Sequence, residues 1–246
     1  MSDINSPFFL PFFKKEQLNR DTFTFYFKRT GEEHQFVSGQ YYEMKLDIED
    51  ADERGDSRVF TISSSPTDTQ FITITTRIIQ SSFKMRLGAL KENELVQFSG
   101  PWDDLNFNEK DTRPHVFLAG GIGVTPYHSI VKYAMDRSIA TPMALFVSWN
   151  TREEMIFDSF FREANNHLEN FSYIPTLTDE MDLKSEEWDG EKGRVNEEML
   201  KRNVYDIKAS KYFFSGPSAM VSSLKETVIG MGVPKENIIA EEFEGY

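Results

Sequence analysis

The chain has 246 residues, of which 39% are hydrophobic and 14% aromatic, with 22 phenylalanines, so it is globular and long enough for one large domain or two small ones. A formal net charge of −13 argues against nucleic acid and against an anionic membrane surface as partners. The absence of cysteine excludes disulfides, thiolate nucleophiles and cysteine-ligated zinc or iron–sulfur centres in this chain, and it suits a cytoplasmic location.

The segment SPFFLPFF near the start is apolar but short, is broken by Pro11 and follows no basic stretch, so it is not read as a signal peptide. No apolar run is long enough to span a bilayer, and no transmembrane segment is expected. DTFTFYFKR alternates strictly, with Phe23, Phe25 and Phe27 on one face of a strand, and FITITTRII does the same with Ile72, Ile74 and Ile78. QYYEMKLDI and ELVQFSG are two further strands, and RTGEE, SSSPTD and KENE are turns between strands. Short strands at close spacing predict an antiparallel barrel. One helix interrupts it at SSFKMRLGAL, where Phe83, Leu87 and Leu90 recur at helical spacing.

After the polar stretch NFNEKDTRPH the pattern changes, which places a domain boundary near residue 110. HVFLAGG, MALFVSW, FSYIPTL and KYFFSGP are short apolar runs without alternation, as in a parallel sheet buried on both faces. Helical patterns separate them. PYHSIVKYAMDR puts Tyr127, Ile130, Val131, Ala134 and Met135 on one stripe behind Pro126, a residue suited to a first turn. AMVSSLKETVIGMG stacks Met220, Leu224 and Val228 and stops at glycines. Strand alternating with helix predicts right-handed βαβ units.

The acidic clusters DIEDADERGD and DEMDLKSEEWDGE read as solvated loops. His34, His115, His128 and His167 show no metal-ligand spacing and read as surface or half-buried residues, so no metal site is expected.

VFLAGGIGVTP joins the first strand of the parallel half to its first helix. Open α/β sheets bind ligands at that point, where glycines admit a phosphate close to helix amides. The usual dinucleotide fingerprint is incomplete, since Gly121 and Gly123 are followed by Val124, Thr125 and Pro126; alone, the turn is equally a structural one. Three other segments stand with it: SRVFTISSSP, SGPSAM and the near-terminal EEF.

In this order the four segments resemble the ferredoxin–NADP reductase superfamily of flavoenzymes over nearly the whole chain. The resemblance implies an antiparallel β-barrel binding FAD over residues 1–110, followed by a Rossmann-like α/β domain binding NADPH or NADH over residues 111–246. It implies that Arg58 pairs with the flavin phosphate, that Phe60 packs on the isoalloxazine and that Thr61 hydrogen-bonds its reactive ring nitrogen; Val59, Ile62, Ser63 and Thr75 belong to the same wall. Phe60 and Thr61 stand where relatives more often have Tyr and Ser. Ser81, Ser82, Phe83 and Lys84 match the place that receives the pyrophosphate, although Ser82 is also explained as a helix cap. Arg77 is assigned to the adenosine part or, equally, to the surface.

On the nicotinamide side the resemblance assigns Gly120, Gly121, Gly123, Val124, Thr125 and Pro126 to the dinucleotide turn, and Gly216, Pro217 and Met220 to a second turn. Ser215 replaces a cysteine common in relatives, and Trp102 in GPWDDLNF departs from their Gly-Pro-x-Gly loop. Ser148 and Arg152 would suit a 2′-phosphate, while Arg152 could instead pair with Glu153 or Glu154. Thr61, Ser215, Glu241 and Phe243 are the expected catalytic set. Phe243 is the first choice for the ring that stacks on the flavin, with Tyr246 the alternative. The implied activity is hydride transfer from NAD(P)H to FAD and onward transfer to a separate acceptor: a ferredoxin, a flavodoxin, an oxygenase component, free flavin or another small molecule. An electron-transfer subunit without turnover of its own and a nucleotide-binding protein that has lost the flavin are the alternatives.

Overall fold

The computed structural model describes residues 6–31, 35–105, 107–179 and 188–243. Its first half is a six-stranded antiparallel sheet made of β1 (Phe8–Gln17), β2 (Thr22–Lys28), β3 (Tyr41–Lys45), β4 (Ser57–Thr61), β5 (Phe71–Arg77) and β6 (Leu95–Trp102). The strand order is β4-β3-β6-β1-β2-β5, and an isolated bridge between Ile62 and Ile74 joins the two ends into a barrel. Alternation did its expected work: Phe25, Phe27, Ile72 and Ile74 are fully buried, and the short helix α1 (Ser82–Gly88) plugs the barrel with Phe83 and Leu87.

β1 is one of the elements that sequence reasoning passed over. Pro11 removes one ladder donor, yet Phe8 to Pro11 pair with β6, and the pairing with β2 shifts register between Phe12 and Lys14. An irregular strand tolerates a proline that a regular central one would not.

The second half is a parallel sheet in the order β10-β9-β8-β7-β11-β12. Its strands are β7 (His115–Gly120), β8 (Met143–Trp149), β9 (Phe171–Leu177), β10 (Glu191–Lys192), β11 (Lys211–Pro217) and β12 (Ile238–Phe243). Helices α2 (Thr125–Arg137), α3 (Asp158–His167), α4 (Glu197–Asn203) and α5 (Ser218–Gly230) cover it. All six residues of β7 are buried, as a strand covered on both faces requires. His115 is among them, at 2% exposure, with its ring stacked on Phe213; it is a core residue, not the surface or half-buried one its sequence context suggested. His34 lies outside the described residues.

α2 docks the two halves together. Ser129 Oγ donates to the Ser64 carbonyl at 2.6 Å, and His128 Nδ1 sits 2.7 Å from the Ser63 carbonyl. A carbonyl only accepts, so Nδ1 carries the proton; burial holds His128 down at about 4, so the ring is neutral.

The turn between β7 and α2 is set by glycine in two ways. Gly121 has φ +53, a backbone region where side chains strain. Gly123 packs so close to β11 that a Cβ there would lie 2.2 Å from the Ser215 carbonyl oxygen. Gly123→Ala is expected to lower stability by about 1–3 kcal/mol through overpacking, read by urea unfolding. An unchanged midpoint would mean that the two strand ends are not in the contact described.

Candidate functional site

Two cavities meet where the barrel faces the carboxyl ends of β7 and β11. The first, of about 370 Å3, is walled by Arg58, Val59, Phe60 and Thr61 from β4, by Thr75 and Arg77 from β5, and by Ser81 and Lys84 beside α1. The second, of about 440 Å3, takes Gly120 and Gly121 from the turn, Ser148 from the end of β8, Pro217 from the end of β11 and Met220 from the first turn of α5. Arg77 and Ile122 line both. Arg77 Nη2 would lie 3.5 Å from a Cβ built on Gly121, so this guanidinium spans the join between the cavities.

The first cavity is cationic at one end. Arg54, Arg58 and Lys84 all line it. Arg58 lies over the Phe83 ring at 5.2 Å, and Lys84 over Phe60 at 4.5 Å, with its ammonium also donating to Thr76 Oγ1. Burial, and then the charges of Arg58 and Arg54, push the Lys84 ammonium down to about 7. The Asp52 carboxylate meets Arg58, and three cations sharing one carboxylate remain costly unless a further anion joins them. A pyrophosphate supplies two negative charges and several acceptors, so this donor set fits one.

Thr61 in the same wall faces an acidic group, and Glu242 lines the cavity itself. Glu241, on β12, reaches across to the barrel: Thr61 Oγ1 donates to its Oε1 and Ser215 Oγ to its Oε2, each at 3.5 Å. Burial first, then the nearby Asp104 and Asp103, raise its carboxyl to about 7, partly offset by the Thr61 and Ser215 hydroxyls. Thus Thr61, Ser215 and Glu241, far apart in sequence, converge. Trp102, which immediately precedes Asp103 and Asp104, places its ring 5.9 Å from that of Tyr41.

Other expected residues lie elsewhere. Ile62 and Phe83 are fully buried in the barrel core and do not line the first cavity. Ser63 hydrogen-bonds Thr73 and Thr75 and opens on a third cavity of about 570 Å3, whose walls carry Glu16, Asp68 and Asp136 against a single Lys132. That charge balance does not suit a phosphate. Ser82 is tied to Asp52. Gly123, Val124 and Pro126 are buried beneath the turn, Gly216 is buried too, and Thr125 lines the first cavity rather than the second. Arg152 lies over the Trp188 ring at 5.3 Å, away from the second cavity, whereas Glu154 and Arg194 line it. The ring of Phe243 and all of Tyr246 lie outside the described residues.

Residues 10–107 match the oxidoreductase FAD-binding domain model, and residues 117–226 match the oxidoreductase NAD-binding domain model. The chain belongs to the ferredoxin–NADP reductase superfamily. FAD and a nicotinamide dinucleotide are the cofactors of its two domains. Among relatives, it is 24% identical over 85% of its length to the phenol 2-monooxygenase reductase component of Pseudomonas sp. strain CF600, covering 58% of that protein. It is 26% identical over 85% of its length to the glycine betaine monooxygenase reductase subunit of Pseudomonas aeruginosa, covering 56% of it. The chain therefore spans little more than half of these relatives. The superfamily fold extends over the whole described structure: a Neisseria gonorrhoeae ferredoxin NADP+ reductase with bound FAD and NADP superposes with TM-score 0.79 at 18% identity, over 96% of this chain and 98% of that one. Among the described residues no helix is long and apolar enough to cross a membrane.

The raised Glu241 carboxyl carries a pH signature. Its folded-state value of about 7 exceeds the ordinary 4.5, so the stability it contributes is complete below 4.5 and is lost as pH rises through about 7. The melting temperature is expected to fall across that window, and Glu241→Gln, which cannot ionise, to flatten the fall. Parallel profiles for the two proteins would show that Glu241 does not titrate there.

Proposed function

We propose that this chain is an FAD-dependent NAD(P)H oxidoreductase that passes electrons to a separate acceptor. The observation that carries the reading is the pair of cavities joined at Arg77, one with a cationic phosphate end and one beside a glycine turn. FAD, when bound, accepts a hydride from the nicotinamide and passes electrons onward. The chain's own residues orient and protonate. Arg58, Arg54 and Lys84 hold the phosphates. Phe60 offers a ring face and Thr61 a hydroxyl at the reactive end. Glu241 holds a proton on its carboxyl between Thr61 and Ser215, within reach of the reacting edge. Residues 1–110 would form the FAD domain and 111–246 the nicotinamide domain. Phe243, or else Tyr246, would supply the stacking ring.

The acceptor is argued from chemistry. The chain has no cysteine with which to hold an iron–sulfur cluster, so the next carrier is external to it. An oxygenase component or its ferredoxin is our first choice, supported by the oxygenase reductases among the relatives; free flavin and flavodoxin follow. The absence of cysteine also fits a cytoplasmic setting.

For the nicotinamide we propose NADH. Glu154 lines the second cavity and accepts from Asn150 Nδ2 at 3.2 Å, just beyond β8, where an acidic side chain can bind a ribose hydroxyl and repel a 2′-phosphate. Arg194, which lines the same cavity, favours the second reading, NADPH.

Arg58→Ala should purify folded but pale, because losing a charge-assisted pair costs roughly 1.5–3 kcal/mol of FAD binding. Undiminished yellow colour would remove Arg58 from the phosphate site. Glu154→Gln should raise KM for NADH about tenfold and lower it for NADPH, while Arg152→Ala changes neither. If Arg194→Ala instead damages NADPH use selectively in a protein that prefers NADPH, the second reading holds.

A further inference from the structure

Asp52 sits in the β3–β4 loop, within the acidic stretch that composition assigned to solvent. Its side chain is only 24% exposed, and its carboxylate is fully engaged. Oδ2 accepts from the Ser82 backbone N–H at 3.1 Å, and Oδ1 accepts from the Arg54 N–H, also at 3.1 Å. The same Oδ1 lies 3.3 Å from Arg58 Nη2. In return the Asp52 N–H donates to Ser82 Oγ at 3.0 Å. One side chain thus ties the loop to the start of α1 and ties both to the guanidinium of Arg58.

Arg58 is held from the same side at its other end. Nη1 donates to the carbonyls of Arg54 and Ser57 at 2.6 Å each and of Gly55 at 3.2 Å. Arg54 and Arg58 line the first cavity, whereas Asp52 does not. The carboxylate therefore stands behind the guanidinium rather than in the cavity. A free arginine loses considerable rotamer entropy when it fixes a ligand, and one already held by its neighbours loses less.

We propose that Asp52 is a positioning residue for the FAD phosphate, coupling Arg58 to α1 so that the guanidinium meets the phosphate already in place. This rests on the reading of Arg58 as the phosphate-binding residue. The competing account makes Asp52 an internal rival of the phosphate, occupying the charge of Arg58 until FAD displaces it. The two accounts predict opposite signs for its removal.

The test titrates flavin-free full-length protein with FAD and, separately, with riboflavin, which lacks phosphate, following flavin fluorescence. Wild type, Asp52→Ala, Arg58→Ala and the double variant are compared. Asp52→Ala is expected to raise the Kd for FAD about tenfold, the size of one charge-assisted contact, and to leave that for riboflavin unchanged. In the Arg58→Ala background it is expected to add nothing, because it acts through Arg58. Asp52→Asn, which keeps the acceptor oxygen, replaces Asp52→Ala with the same expectations if the alanine variant does not fold. Tighter FAD binding on removal of Asp52 overturns the proposal in favour of the rival. Equal weakening of FAD and riboflavin overturns it in favour of general support of the barrel. If Arg58→Ala weakens FAD and Asp52→Ala does not, this inference alone falls. If Arg58→Ala leaves FAD binding intact, the phosphate reading falls and takes the inference with it.

Discussion

The site depends on how α2 is fastened to the barrel. Ser129 and His128 bond the carbonyls of Ser64 and Ser63, which follow directly on β4. The strand that carries Arg58, Phe60 and Thr61 is thereby indexed to the helix that opens at Thr125. Because α2 begins at the glycine turn, the same contacts set the turn's distance from β4. Buried carbonyls left without donors would each cost about 1–3 kcal/mol, so the two halves are penalised for sliding apart. The meeting of Thr61 with Glu241 follows from that docking.

The close approach at Gly123 plays the complementary part inside the parallel sheet. It draws the end of β11, with Ser215, against the turn after β7. β12 pairs beside β11, opposing Glu241 to Ser215, and so delivers its carboxylate to the barrel. A larger residue at Gly123 would move Ser215, and Glu241 with it. Backbone geometry in one domain therefore sets side-chain chemistry at the boundary between two.

Much of this was legible in the residues. Alternation located β2 and β5, uninterrupted apolar runs located β7, β8, β9 and β11, and a proline after glycines located the start of α2. What escaped had physical causes. β1 was hidden because a proline argues against a strand unless the ladder is irregular there, and irregularity leaves no mark in composition. His115 was misjudged because nothing local tells that three phenylalanine rings, Phe107, Phe117 and Phe213, will enclose it. Arg152 is drawn to Trp188, distant from it in sequence, a contact no spacing rule anticipates, and this leaves the second cavity to Glu154 and Arg194. Asp52 was lost among acidic neighbours, since a charge run records sign and not direction.

The arrangement of charge supplies the last step. Arg54, Arg58 and Lys84 line the first cavity, and Asp103 and Asp104 lie near Glu241, which meets Thr61 of the cavity wall. Each cluster disfavours its own charge: crowding and burial press the Lys84 ammonium to release a proton and the Glu241 carboxyl to keep one. A ligand with anionic phosphates and a neutral ring relieves the first cluster and leaves the second alone. Entering in the reverse sense, it would set phosphates beside carboxylates and leave three cations with only the Asp52 carboxylate among them, and the two penalties add. In so acidic a chain, the gathering of Arg54 and Arg58 around Lys84 is what would give the site a direction. On the proposed reading, the field that would bind the tail would also carry the ring toward Thr61 and Glu241.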